Sequence, residues 1–147
     1  MQNAITEGDI TILRDQAINL NDEFVLAGRE DYSAERILGN DERKTMSEIL
    51  NDIDRDDFIL VMDHQPRGYS ENSSEGTDLL VSGHTHAGPI VPGNLVLNLI
   101  PFGDGVYGEY KVGDMRAYVS AGLAGWGLPF KTSAPAEYVI IDIQAKK

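Results

Sequence analysis

The feature that most constrains the fold of this chain is a pair of short apolar runs that each lead into histidine. Residues 58–62 and 79–82 are rich in Ile, Leu and Val, and such runs are typical of buried strands. His64 follows the first run, and His84 and His86 follow the second; the chain has no other histidine. Ligands of an open α/β sheet bind outside the carboxyl ends of its strands. The pattern therefore predicts one site that gathers all three imidazoles.

Three imidazoles at one sheet edge indicate a site for zinc or a transition-metal ion, and the chain has no cysteine to compete for it. A single histidine after a strand is usually an ordinary loop residue, so His64 alone would carry little weight. His84 and His86 carry more, because residues two apart on a strand point to the same face. Two extended residues span roughly 6.5 Å, which suits two ligands of one ion or one ligand for each of two neighbouring ions. The spacing leaves both arrangements open.

The segments around these histidines resemble a known family. The Gly-His-x-His signature of the calcineurin-like metallophosphoesterases is matched by Gly83-His84-Thr85-His86. The isolated His-x-Pro element that precedes it in the family is similar to His64-Gln65-Pro66, and the Asp-Leu-x-Leu-Ser lead-in is similar to residues 78–82. Weaker similarity extends over residues 26–31, 118–122 and 135–137. The resemblance covers nearly the whole chain and is strongest to a bacterial branch of predicted phosphohydrolases, many of which are membrane-associated.

The chain departs from the family at the family's first three motif blocks. Asp-x-His, Gly-Asp-x-x-Asp and Gly-Asn-His-Asp/Glu do not occur, and residues 87–89 read Ala-Gly-Pro where Gly-Gly-Gln is common. The resemblance is therefore to the C-terminal half of the family's domain only. It implies an α/β (α+β) fold, the C-terminal half of a metallophosphoesterase-type β-sandwich flanked by helices. We expect residues 1–147 to form a single domain that is a fragment of a larger one.

The resemblance also implies a function. The parent protein would be a hydrolase, a phosphatase or phosphodiesterase that cleaves phosphate esters at a binuclear centre of two divalent ions (Mn, Fe, Zn or Co). His64 and His84 would hold one ion and His86 the other. Asp63 and Asp78 are the nearest candidates for orienting these imidazoles, although Asp63 is expected to point away from His64 and serve the fold. The sequence identifies no substrate-binding residue.

The number of ligands argues against activity of this chain alone. Two ions with about four or more ligands each cannot be satisfied by three histidines and water. The remaining ligands and the catalytic residues would come from the missing N-terminal half, so we expect the isolated chain to be inactive. The surface that faces this half would be apolar, which predicts self-association of the fragment.

Two other classes of function remain open. The chain could be a non-catalytic binding or assembly module whose histidines are vestigial. It could also be a mononuclear metal protein that uses the three histidines and a water. The number of ions bound at the histidines distinguishes these hypotheses.

Charge limits the range of partners. The net charge of −12 argues against a general nucleic-acid binder, since such affinity depends on Lys and Arg that neutralise phosphates. A phosphate ester can still bind if metal ions supply positive charge locally. The apolar runs are too short to span a membrane, and no signal peptide opens the chain. The location is left open between the cytoplasm and a membrane reached through an upstream segment.

The remaining sequence predicts the elements around this site. Asn21-Asp22 predicts a hairpin turn between apolar runs at 18–20 and 24–27. Residues 42–55 predict a helix, capped by Asn40 or Asp41, with an apolar stripe formed by Met46, Ile49, Leu50 and Ile53. The acidic run that follows is interpreted as a solvated helix end, because it lacks the glycine of a calcium loop.

Several further segments receive less specific predictions. A short helix is predicted over 34–38, an exposed loop over 69–77 or alternatively a short helix over 74–78, and a hairpin or irregular loop over 103–113. Strands are predicted over 116–121 and 138–143, with a weaker candidate within 90–99. The glycine-rich segment 122–130 is interpreted as a surface loop or as a wall of the substrate pocket, with Trp126, Phe130 and Lys131 as its contacts.

Overall fold

The computed structural model describes residues 10–33, 43–88, 103–125, 132 and 134–144. These residues form one mixed six-stranded sheet with two short helices. The strands are β1 (Gln16–Asn21), β2 (Phe24–Gly28), β3 (Phe58–Met62), β4 (Leu79–Ser82), β5 (Gly108–Val112) and β6 (Met115–Val119). The helices are α1 (Met46–Ile49) and α2 (Tyr69–Ser74). The predicted α/β fold class is confirmed.

The strands are arranged in the order β1-β2-β3-β4-β6-β5, with parallel pairing in the middle of the sheet. β2, β3, β4 and β6 run parallel, and antiparallel hairpins add β1 at one edge and β5 at the other. In the β3–β4 ladder, Leu60 pairs with Leu79 and Met62 with Val81. The parallel strands therefore deliver their carboxyl ends to one edge of the sheet. β3 and β4 have the bounds that their apolar runs predict.

The β1–β2 hairpin turns where the sequence predicts it. The turn occupies residues 22–23, and the Asn21 side chain accepts a hydrogen bond from the backbone N–H of Glu23 at 2.9 Å. β2 is buried along its core face, with Val25 and Ala27 fully inaccessible. This places β2 inside the sheet and leaves β1 at the edge.

The core is one cluster that joins the sheet with residues of both helices. The fully buried apolar residues of the strands belong to it together with the buried residues of α1 and with Tyr69 of α2, and they are Val25, Ala27, Ile59, Val61, Leu80 and Val119. The predicted stripe is confirmed, since Met46, Ile49 and Leu50 are buried and Ile53 packs against the core.

Helix α1 is much shorter than the predicted span of 42–55. It begins after Thr45, whose side chain accepts from the Glu48 N–H while Glu48 returns a bond to the Thr45 N–H. This capping box fixes the start, so the prediction of Asn40 or Asp41 as the cap is wrong. Leu50 is the C-cap, and turns follow at 51–52 and 55–56. Asp52, Asp54 and Asp56 are exposed there, in agreement with a solvated segment.

Helix α2 covers Tyr69–Ser74, so the exposed loop predicted over 69–77 and the alternative of a helix over 74–78 are both wrong. The first residue of α2 packs into the core: Tyr69 is 4% exposed, and the Tyr69 ring contacts the Tyr110 ring edge-on, with 5.9 Å between the ring centroids. Gly68, with φ of +69°, turns the chain into the helix. A turn at 75–76 follows the helix, and residues 77–78 lead into β4.

The C-terminal predictions have mixed outcomes. β6 confirms the strand predicted at 116–121 within two residues, and β5 occupies part of the predicted hairpin at 103–113. The predicted strand at 138–143 is wrong: these residues pair with no described strand, and Tyr138 and Ile140 are 77% and 82% exposed. The predictions for 34–38, for 90–99 and for Trp126, Phe130 and Lys131 fall outside the described residues. Among the described helices, none is long and apolar enough to span a membrane.

Candidate metal centre

Parallel pairing of β3 and β4 brings His64 and His84 together. Each lies two residues beyond the end of its strand, and the Gly83 N–H donates to the His64 carbonyl at 3.1 Å, which joins the two loops. His64 Nε2 lies 3.0 Å from His84 Nδ1, and the two rings are nearly perpendicular, with an angle of 79° between their planes. Imidazoles separated by twenty positions in the sequence are thus in direct contact at the carboxyl edge of the sheet.

His86 points to a different neighbour. Its Nδ1 lies 3.0 Å from the carbonyl oxygen of Ala124, in the loop that follows β6. A carbonyl can only accept, so in the neutral ring Nδ1 carries the proton and Nε2 keeps its lone pair. A carbonyl partner of this kind is the usual means of orienting a metal-binding histidine.

The backbone of the histidine segment is a turn, not a strand. His84, His86 and Ala87 have φ of +69°, +51° and +55°, so the prediction that His84 and His86 share a strand face is wrong. Each such residue costs about 1–2 kcal/mol, and clusters of this strain occur at functional sites. Thr85 holds the turn in place: it is 3% exposed, and its hydroxyl donates to the carbonyl of Val106.

A carboxylate lies beside the histidine pair. Asp31 Oδ2 is 4.0 Å from His64 Nε2. Burial opposes the charge of Asp31, but hydrogen bonds from the Ser33 side chain and N–H outweigh it and lower the pKa of Asp31. The pKa of His84 also lies below its ordinary value, first because of burial and then because of the adjacent His64. The site thus favours a neutral imidazole, the form that binds metal, next to an ionised carboxylate.

The two aspartates that the sequence offered as partners for the imidazoles are engaged elsewhere. Asp63 accepts a hydrogen bond from Arg43 Nη2 at 2.7 Å and serves the fold, as its adjacency to His64 predicted. Asp78 accepts from the Ile59 N–H at 2.8 Å, at the opposite end of β4 from the histidines. Asp78 therefore orients no histidine, and that candidate is wrong.

Two guanidinium groups flank one aromatic ring near the site. The Cζ atoms of Arg43 and Arg67 lie 5.0 Å and 5.1 Å from the centre of the Tyr32 ring. These cation–π contacts join the segment that carries Asp31 to the segment before α1, through Arg43, and to the loop that follows β3, through Arg67. Arg67 also contributes to lowering the pKa of His84, so positive charge lies near the histidine pair.

The histidine pair fits part of a metal coordination sphere. Two nitrogens 3.0 Å apart can both lie about 2.1 Å from one ion, with an angle of about 90° between the two bonds. Among the residues that the structure describes, no three His, Asp or Glu side chains are grouped closely enough to hold one ion. The described residues thus supply two imidazole nitrogens in contact with each other, and a third imidazole that the Ala124 carbonyl orients.

A cavity of about 420 Å³ opens beside His64 at the ends of the parallel strands. It lies where ligands of an α/β sheet bind. Its walls come from β2, β3, β4 and the segment before β1, and they are formed by Leu13, Gly28, Arg29, Met62, Asp63, His64, Val81, Ser82 and Gly83.

Sequence reasoning missed three contributors to this site: Asp31, the Ala124 carbonyl and the Thr85 anchor. Asp31 and Ala124 reach the histidines across 33 and 38 positions of sequence, respectively, and no local pattern encodes such distances. Thr85 was visible only as the variable position of the signature motif.

Curated proteins are similar to this chain over most of its length. An uncharacterized metallophosphoesterase of Helicobacter pylori (strain J99) is 33% identical over 94% of this chain and 36% of its own length. One from Aquifex aeolicus is 31% identical over 92% of this chain and 51% of its own length. A bovine transmembrane protein with a metallophosphoesterase domain is 31% identical over 85% of this chain and 28% of its own length.

The chain thus spans between about a third and a half of the length of these two bacterial relatives. No family model matches the chain, and no solved structure matches it. The names of these relatives agree with the family that the Gly-His-x-His and His-x-Pro motifs of this chain indicate. The chain belongs to the metallophosphoesterase family, as a fragment that corresponds to the C-terminal part of its members.

Proposed function

We propose that this chain is the C-terminal part of a metal-dependent hydrolase that cleaves phosphate mono- or diesters at a binuclear centre. Residues 1–147 would form part of one larger domain. His64 and His84 would bind one divalent ion, and His86 the other. The observation that carries this proposal is the 3.0 Å contact between His64 Nε2 and His84 Nδ1 at the carboxyl edge of the sheet.

The chemistry follows from charge. Divalent ions such as Mn, Fe, Zn or Co supply a hydroxide at neutral pH and neutralise charge on the phosphoryl oxygens. Within this chain, burial keeps His84 neutral and the Ala124 carbonyl fixes the proton of His86 on Nδ1. The cavity beside His64 gives a phosphate ester room to approach. Because the chain has a net charge of −12, the metal ions would have to supply the positive charge that binds the phosphate ester. Nucleic acid is not expected as a general partner.

The isolated chain is expected to lack phosphatase turnover, because the three histidines leave more than half of the ligand positions of two ions unfilled. The missing ligands and the catalytic groups would come from the other part of the domain. We also propose that this part covers the exposed apolar residues of the chain. Among the described residues, six of the large exposed apolar side chains lie between positions 123 and 143: Leu123, Tyr138, Val139, Ile140, Ile141 and Ile143.

Metal binding by the chain tests the ligand assignment. Zn²⁺ or Mn²⁺ is titrated calorimetrically into the wild type, His64→Ala, His84→Ala and His86→Ala. We expect the wild type to bind metal weakly, and His64→Ala and His84→Ala to abolish this binding. His86→Ala should bind fewer ions per chain. Glu109→Gln, on a side chain that is 57% exposed, is the control and should bind as the wild type does. Unchanged binding in all three histidine variants would contradict the proposal.

Turnover tests the expected inactivity. The chain is assayed on a generic phosphodiester and a phosphomonoester in the presence of Mn²⁺. A substantial rate that His84→Ala and His86→Ala abolish would show that the fragment is a complete catalyst. Binding of a single ion that requires all three histidines would instead favour a mononuclear site.

A further inference from the structure

Glu137 joins three segments close to the candidate metal centre. Its Oε2 accepts from the Tyr107 hydroxyl at 2.8 Å, and its Oε1 accepts from the Ala121 N–H at 2.8 Å and from the Ser120 hydroxyl at 3.4 Å. Its own N–H donates to the Gly122 carbonyl at 3.1 Å. One residue therefore fixes three successive positions of the loop that follows β6.

This loop carries the group that orients His86. Ala124, whose carbonyl accepts from His86 Nδ1, lies two residues beyond the last position that Glu137 fixes. Gly122 adopts a left-handed conformation with φ of +69°, and its N–H donates to the Ser120 hydroxyl at 3.0 Å. The path of the chain from β6 to Ala124 thus depends on contacts to residues 120–122, most of which end on Glu137.

A carboxylate suits this role for two reasons. It has two acceptor oxygens, so it can bind the Tyr107 hydroxyl and the Ala121 N–H at once, and its charge strengthens both bonds. In agreement with this arrangement, the hydrogen bond to Glu137 raises the pKa of Tyr107. An alanine in place of Glu137 would remove the side-chain bonds to Tyr107, Ser120 and Ala121 and would keep the backbone bond from the N–H of residue 137 to the Gly122 carbonyl.

We propose that Glu137 is a positioning residue that acts through the loop at 120–124 to hold the Ala124 carbonyl against His86, so that His86 keeps its proton on Nδ1 and presents Nε2 to a ligand. The ligand role of His86 rests on the proposed function. The placement of the proton does not, and it can be measured without metal.

The proton is observed by long-range ¹H–¹⁵N NMR of the imidazoles, about two pH units above the ordinary histidine pKa of about 6.5. The spectrum contains one set of signals for each of the three imidazole rings. The spectra of His64→Ala and His84→Ala show which set belongs to which histidine. In the wild type, we expect His86 to be protonated on Nδ1. Glu137→Ala should convert the His86 ring to a mixture of the two tautomers, while the backbone spectrum of β2, β3 and β4 stays unchanged.

Two variants separate positioning from general damage. Glu137→Gln keeps one oxygen for the Ala121 N–H, so it should restore the wild-type pattern of His86. Tyr107→Phe removes one hydrogen bond to the Glu137 carboxylate. Tyr107 is 43% exposed, so this variant should fold even if Glu137→Ala does not, and its His86 ring should convert partially to the other tautomer. A wild-type His86 pattern in both Tyr107→Phe and a folded Glu137→Ala would overturn the inference.

A Zn²⁺ titration of the same samples gives the second readout. Loss of a group that orients a ligand typically weakens metal affinity by about 10- to 100-fold, and we expect Glu137→Ala to lose affinity in that range and Glu137→Gln to retain it. If Zn²⁺ perturbs no histidine of the wild type while Glu137→Ala still changes the tautomer, the proposed metal function fails and the positioning role stands.

Discussion

The ion pair between Arg43 and Asp63 offers a quantitative test of how the site is supported. The two side chains are 8% and 2% exposed, and Arg43 Nη2 lies 2.7 Å from Asp63 Oδ2. Asp63 also accepts from the Gln65 N–H at 3.2 Å, directly after His64. The pair therefore ties the segment that precedes α1 to the loop that carries His64.

Removal of one partner leaves the other charge buried without compensation. Breaking a buried pair in this way costs about 3–5 kcal/mol, so Arg43→Met should reduce the free energy of unfolding by that amount. Asp63→Leu should cost at least as much, because it also removes the acceptor of the Gln65 N–H. The double variant Arg43→Met with Asp63→Leu should cost about 2 kcal/mol less than the sum of the single changes, since it leaves no unpaired charge.

Urea unfolding followed by circular dichroism measures these differences. With a denaturant slope of about 2 kcal/mol/M, a loss of 3–5 kcal/mol lowers the midpoint by about 1.5–2.5 M. The matched control is Arg116→Met, which breaks an ion pair of similar length (3.1 Å) whose side chains are 71% and 57% exposed. It should cost less than about 1 kcal/mol. An Arg43→Met midpoint close to that of the control would refute the reasoning.

Three further outcomes are expected. Thr45→Ala removes the N-cap of α1 and should lower the free energy of unfolding by about 1 kcal/mol, measured by urea unfolding. Because the pKa of His84 is lowered in the folded chain, the unfolded chain binds more protons at acid pH; stability is then fully present above the unfolded pKa of about 6.5 and falls as pH drops below it. His84→Gln should flatten this slope of urea midpoint against pH, and an unchanged slope would contradict the assigned shift. Self-association at high concentration should be visible by sedimentation velocity; Ile140→Lys should reduce it, while Leu20→Lys on β1 should not, and a monomeric wild type would exclude it.

The sequence predicts the centre of this fold well, because its signals there are local and agree with each other. The apolar runs that become β3 and β4 have the bounds of the strands, and parallel pairing follows from the segment between them being long enough for a crossover. Contact between His64 and His84 is a consequence of that topology. The α1 stripe is also correct, but periodicity alone does not fix where a helix begins and ends; the start is set by the Thr45–Glu48 capping box.

The failures lie where contacts are long-range or unusual. Residues 138–143 have the composition of a buried strand, yet a strand needs a neighbour, and the described residues provide none. His84 and His86 were expected on one face because an extended backbone was assumed; positive φ at non-glycine residues is rare enough that no propensity predicts it. The carbonyl of Ala124 could not be foreseen as a partner for His86, because backbone groups carry no sequence signal.

The turn at residues 84–88 has a consequence for how the site can be manipulated. The turn is held by the Thr85 hydroxyl and by backbone bonds such as that from the Gly88 N–H to the Thr85 carbonyl, and these bonds do not depend on a histidine ring. Truncation of His84 or His86 to alanine should therefore leave the turn intact, with an empty space where the ring was. Free imidazole in solution can occupy this space. Restoration of metal binding by added imidazole would then show which histidine binds which ion.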